Sequence, residues 1–145
     1  MMIVHLITSF VATASFAILF NAPRKSLIKC GLVGMVGWIV YFSLVEYDFD
    51  AVIASFIAAF MVAVISQIFA KMYKTPIIIF SISGIIPLVP GGIAYNAMRH
   101  FVVNDYNVAI QLAAKAFMIS GAIAAGLVIS EVLNQIILKI KFRQV

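Results

Sequence analysis

Pro87-Leu88-Val89-Pro90-Gly91-Gly92 interrupts the fourth of five long apolar stretches in a chain of 145 residues. Two prolines and two glycines within six positions should break a membrane helix near its middle. A broken helix in hydrocarbon leaves backbone groups without partners, and each unsatisfied group costs several kcal/mol. Such breaks persist where they are buried in protein or line a polar cavity. In transporters they often hold the substrate.

Working outward, the whole chain is built for lipid. It is 65% hydrophobic and only 10% charged, against ~45–50% apolar residues in soluble domains. Mean hydropathy is +1.17. The apolar runs match the ~20 residues that cross a bilayer as a helix. The short dyad alternation of a β-barrel is absent. The expected fold is an all-α integral membrane protein, one transmembrane domain over residues 1–145. Its five transmembrane helices fall at about 2–20, 30–45, 51–70, 76–98 and 111–138. The first run lacks a basic leader and is long, so a retained span is expected rather than a cleaved signal. Residues 99–110 read as a turn at Asn104-Asp105-Tyr106-Asn107, with Asp105 or Asn107 able to cap the next helix, or as a short interfacial helix.

Charge placement orients these spans. Arg24, Lys25, Lys29, Lys71, Lys74, Lys139, Lys141 and Arg143 fall on one side. Arg99 and Lys115 fall on the other, with Glu46, Asp48, Asp50 and Asp105. The basic side should be cytoplasmic, with the N-terminus outside and the C-terminus inside. The net charge of +5 therefore reflects topology and not nucleic-acid binding. Cys30 is the single cysteine, which excludes an intramolecular disulfide and a cysteine-rich metal site.

The break sets the chemistry. The helix should end near Leu88 and restart near Gly92. The glycines would supply backbone angles that other residues resist. The N–H groups of the restarted half-helix, residues 93–98, would then point toward the bilayer centre, where they favour a carboxylate. The carbonyls ending the first half would suit a cation. Tyr95 and Asn96, one turn along, add hydrogen-bonding groups. The candidate substrate-binding residues are thus Pro87, Pro90, Gly91, Gly92, Tyr95 and Asn96. The plain alternative is a proline kink repaired by neighbouring helices and water.

Other features have competing readings. Glu131 is an intramembrane acid, either a proton-coupling site or a member of a buried network with Asn134 and Gln135. Lys115 lies too far along the same helix to pair with it and should snorkel. Gly31, Gly34 and Gly37, and the pairs Gly121/Ala125 and Ala122/Gly126, allow close helix approach, within one bundle or between subunits. Ser66, Gln67, Ser81 and Ser83 are inexpensive interhelical hydrogen-bond donors. Trp38 reads as a packing residue and His5 as a solvated interfacial one. No metal-spaced histidine cluster, GxSxG, phosphate loop or dinucleotide fingerprint is present, so neither an enzyme nor a cofactor is expected.

Asn21-Ala22-Pro23-Arg24-Lys25, Lys29-Cys30-Gly31 and the run from Pro87 through Met98 resemble the threonine/serine exporter family. The likeness is to its small membrane subunit of the YjjB-like type, and it covers nearly the whole chain. The family's P-x-x-P-G-x-x-x-Y pattern falls on Pro87, Pro90, Gly91 and Tyr95. The resemblance implies secondary export of threonine/serine-type amino acids or succinate-type dicarboxylates across a bacterial cytoplasmic (inner) membrane. It also implies a larger membrane subunit of the same family as partner. Five is odd, so two joined five-span halves would be inverted relative to each other. The alternative function is a non-transporting scaffold or assembly subunit.

Overall fold

The computed structural model describes residues 2–143, so residues 1, 144 and 145 lie outside the described residues, as do the side chains of Lys141 and Arg143. The described residues form six α-helices and no strand. These are α1 (Met2–Leu19), α2 (Leu27–Glu46), α3 (Ala51–Tyr73), α4 (Ile77–Ile85), α5 (Gly91–Val102) and α6 (Tyr106–Arg143). Short 3-10 turns at Arg24–Ser26 and Ile86–Leu88 lead into α2 and out of α4.

Four helices end with one device. Asn21, Asp48, Lys74 and Asn104 take positive φ. The next residue's N–H then reaches back into the last turn: Ala22 to Ala17 O, Phe49 to Leu44 O, Thr75 to Ala70 O and Asp105 to His100 O. Each bond satisfies a carbonyl the helix end would leave open. Asp50 opens α3, its Oδ1 accepting from the Val52 N–H at 2.7 Å.

Helix α3 lies at the centre, packed by α2, α4 and α6, with α1 against α2 and α5 along α6. Val33, Ala58, Ala59, Val62, Leu88, Ile119 and Ile123 form the main core, and Ala17, Cys30 and Phe80 a smaller one. The α2 glycines serve two neighbours. Gly31 and Gly34 admit Phe10 and Thr13 of α1, whereas Gly37 admits Val62 of α3. Gly126 brings α6 onto α3 so closely that an added Cβ would lie 2.7 Å from the Phe56 carbonyl oxygen. Gly121 faces open space. The two small-residue pairs of α6 therefore part company: Gly126 packs inside the bundle, while Gly121 and Ala125 are exposed.

Direction follows from two cross-helix bonds. Gln67 of α3 donates to Ser130 of α6, and Lys71 donates to Asn134, each pair 63 positions apart. A constant offset means that α3 and α6 run parallel. The chain leaving α3 must therefore return to the opposite side before α6 begins, and α4 with α5 makes that return.

The all-helical membrane class stands. Arg24–Glu46, Ala51–Tyr73 and Tyr106–Ile137 are long and apolar enough to cross a bilayer. Ile77–Leu88 and Gly91–Val102 meet that test as a pair bent by 50°. Helix α1 is apolar but shorter, at Ile3–Leu19. Residues 99–110 form no separate interfacial helix, because α5 runs on to Val102 and α6 already starts at Tyr106. The Asp105 carboxylate meets His100 Nδ1 at 3.2 Å, and its carbonyl accepts from the Ala109 N–H.

Candidate functional site at the helix break and the α3–α4–α6 groove

The break is made by its prolines. The 3-10 turn Ile86–Leu88 carries Pro87, Val89 is extended, and Pro90 precedes α5. A proline at either position withholds a donor and blocks continuation of the helix. The glycines act otherwise than expected, since no glycine has positive φ. What they contribute is bare backbone. An added Cβ at Gly91 or Gly92 would meet nothing within 4 Å. Gly91 N–H bonds to Val89 O at 2.8 Å and Ala94 N–H to Pro90 O at 3.0 Å. Among the described residues, the N–H groups of Gly92 and Ile93 have no backbone acceptor, and the carbonyls of Pro87 and Leu88 accept nothing. Two donors and two acceptors thus lack a backbone partner within a few residues.

A cavity of about 160 Å³ sits inside the bend. Pro87 and Pro90 line it with Trp38, Tyr41, Ile93 and Ile119. Gly91, Gly92, Tyr95 and Asn96 do not line it. They lie on the exposed side of α5, with Tyr95 70% exposed. The six candidate residues therefore divide into two prolines facing the bundle and four residues facing out. Trp38 and Tyr41 complete the inner wall, their ring centroids 5.4 Å apart. His5 stacks on Phe42 at 5.3 Å and tilts against Trp38 at 6.2 Å, which joins α1 to the same aromatic cluster. Trp38 and Tyr41 lie three residues apart on α2, a helical spacing that marks them as near neighbours but not which helix they face.

The second feature is a groove between α3, α4 and α6. One cavity of about 280 Å³ is lined by Gln67, Ile77, Ser81, Leu127 and Glu131. Another of about 270 Å³ shares Gln67, Ile77 and Glu131, and adds Lys71, Asn134 and Gln135. Gly126 is what allows its α3 and α6 walls to meet. Gln67 holds them together, its Nε2 donating to Ser130 O at 3.1 Å and to Ser130 Oγ at 3.2 Å. Ser66, Ser81 and Ser83 each donate to a carbonyl of their own helix. Glu131 is exposed and has neither an ion pair nor a hydrogen bond among the described residues. Asn134 is occupied by Lys71 Nζ at 2.8 Å. Glu131 thus stands apart from the Gln67–Ser130 bridge. Lys115 is also exposed, toward the other end of α6.

Against this geometry, the family described as Threonine/Serine exporter, ThrE, matches residues 5–133, which reaches into every helix and takes in the break and the groove lining except Asn134 and Gln135. No solved structure matches the chain.

Proposed function

Because the chain belongs to the threonine/serine exporter family, a transporter family and not an enzyme class, we propose that it is the small subunit of a secondary transporter. In this reading it exports small carboxylate-bearing metabolites, threonine/serine-type amino acids or succinate-type dicarboxylates, together with a larger homologous membrane subunit. The membrane is the bacterial cytoplasmic membrane, with the N-terminus outside and the C-terminus in the cytoplasm. The chain crosses five times, α4 and α5 making one broken span. The parallel run of α3 and α6 supports that count, since a re-entrant α4–α5 would set them antiparallel.

The observation that carries the proposal is the set of unpaired backbone groups at the break. Gly92 and Ile93 offer N–H groups at the positive end of a twelve-residue helix, where a carboxylate is favoured. In lipid such groups demand a partner, and substrate is one that comes and goes. The outward placement of Gly91, Gly92, Tyr95 and Asn96 supports a site completed by a second subunit. Its polar row would otherwise face hydrocarbon.

Loss of labelled threonine and labelled succinate from preloaded cells tests this. Cells would express the chain alone, the larger subunit alone, or both. Faster loss of one substrate only with both chains present is the expected result. No change with either substrate, with both chains inserted in the membrane, would reject the exporter.

A further inference from the structure

We propose that the α3–α4–α6 groove is a second binding site, cytoplasm-facing, for a ligand bearing an ammonium and a carboxylate group close together. The proposal rests on the exporter reading and adds a loading position separate from the break. Twelve residues of α6 separate Ile119, at the break, from Glu131, which is ~18 Å along the helix.

The acceptors come first. Gln67 is only 8% exposed and spends its amide N–H groups on Ser130. That fixes the carboxamide, leaving Oε1 without a partner at a residue that lines both cavities. No side-chain oxygen is sealed away unbonded among the described residues, so Gln67 Oε1 is open to the groove. Ser81 Oγ uses its proton on Ile77 O at 3.1 Å and keeps its lone pairs. Glu131 adds an unpaired carboxylate. Three acceptor groups from three helices, one of them anionic, match the three donors of an ammonium group.

Lys71 supplies the complement. It lies one turn beyond Gln67 on α3, ~6 Å toward the cytoplasmic end. Asn134 tethers its Nζ through a single hydrogen bond, leaving donors for a carboxylate. Glu131 and Lys71 line the same cavity without forming an ion pair, so a ligand carrying both charges fits between them. A dicarboxylate meets Lys71 but is repelled by Glu131. The groove therefore selects zwitterionic amino acids over dicarboxylic acids.

Equilibrium binding to the full chain in lipid nanodiscs tests this with three probes: L-threonine, succinate and sodium ion. The background carries Gly91→Leu, which alters the break at a position with open space and leaves the groove intact. Threonine should still bind. Glu131→Gln should then weaken it about tenfold or more, as loss of a charge-assisted contact implies. Lys71→Met should weaken it comparably, and Glu131→Asp should retain most of it. Succinate should bind more weakly than threonine. Unchanged threonine affinity in both Glu131→Gln and Lys71→Met, or Glu131-dependent binding of sodium without threonine, would overturn the site. Export separates the two levels. A wild-type complex that exports threonine with a KM unaltered by Glu131→Gln or Lys71→Met rejects the groove but keeps the exporter. Glu131-dependent threonine binding by a chain that exports nothing rejects the exporter but keeps the groove.

Discussion

The break and the groove lie on the same bundle yet are built in opposite ways. At the break, the polar groups are backbone, laid bare by two prolines, and the cavity wall is otherwise apolar and aromatic. In the groove the helices are continuous, and the polar groups are side chains from three of them. Local sequence decides the first. Helix pairing decides the second, because Gln67 meets Ser130, and Lys71 meets Asn134, across 63 positions. In the proposed reading the break is the central site, and the groove is a separate loading position on the way to it.

The comparison can be broken from the groove side first. Gly126→Leu should have the largest effect. A side chain there would strike the Phe56 carbonyl oxygen and the Phe60 nitrogen, 2.7 and 3.1 Å from the added Cβ, and backbone cannot step aside. Overpacking of this kind costs about 1–3 kcal/mol or more. Thermal unfolding in detergent should show a large drop, with none for Gly121→Leu, which faces open space. Equal melting curves would mean that α3 and α6 do not pack as described.

From the other side, Pro87→Ala should act on transport and spare the fold. A helix-interior proline costs about 3 kcal/mol relative to alanine. Alanine returns the missing donor and lets α4 lengthen toward Pro90. Stability should hold or rise while export slows, checked by parallel melting and efflux assays. Gln67→Ala comes next, removing the bridge to Ser130 at a cost of about 1 kcal/mol. Its signature is a modest loss of stability with the break untouched. The smallest effect belongs to Tyr95→Phe. The side chain is 70% exposed and makes no hydrogen bond among the described residues. Stability of the isolated chain should stay within about 0.5 kcal/mol.

How much was legible follows the same divide. Pro87 and Pro90 act on their own neighbours, so the helix end at Leu88 and the restart at Gly91 were within a residue of the sequence expectation. The membrane class and the turn at Asn104-Asp105 were legible for the same local reasons. The part assigned to the glycines was not, because their identity does not reveal φ. Gly91 and Gly92 serve here by lacking a side chain. In sequence Trp38 is a mid-span packing residue, and only the meeting of α2 with the bend puts it on the cavity wall. Glu131 was visible as an intramembrane acid. Its separation from Asn134 was not, since Lys71 takes that amide from another helix. The spacing of Gln67 and Lys71 on α3, and of Glu131 and Gln135 on α6, was a usable signal. Both pairs put polar groups one turn apart near the basic end of a span.

The central claim is that the break handles substrate and is not merely a proline kink in the bundle. Gly91→Leu measures this most directly, because the added side chain has open space and negative φ, so folding has no reason to fail. The chain would be expressed with the proposed larger subunit, and both co-purification and loss of labelled threonine and succinate would be followed. Assembly at the wild-type level with export reduced to that of cells lacking the chain is the predicted result. Export and assembly lost together would contradict it and make the chain an assembly subunit. Export at the wild-type rate would move the substrate path away from the break.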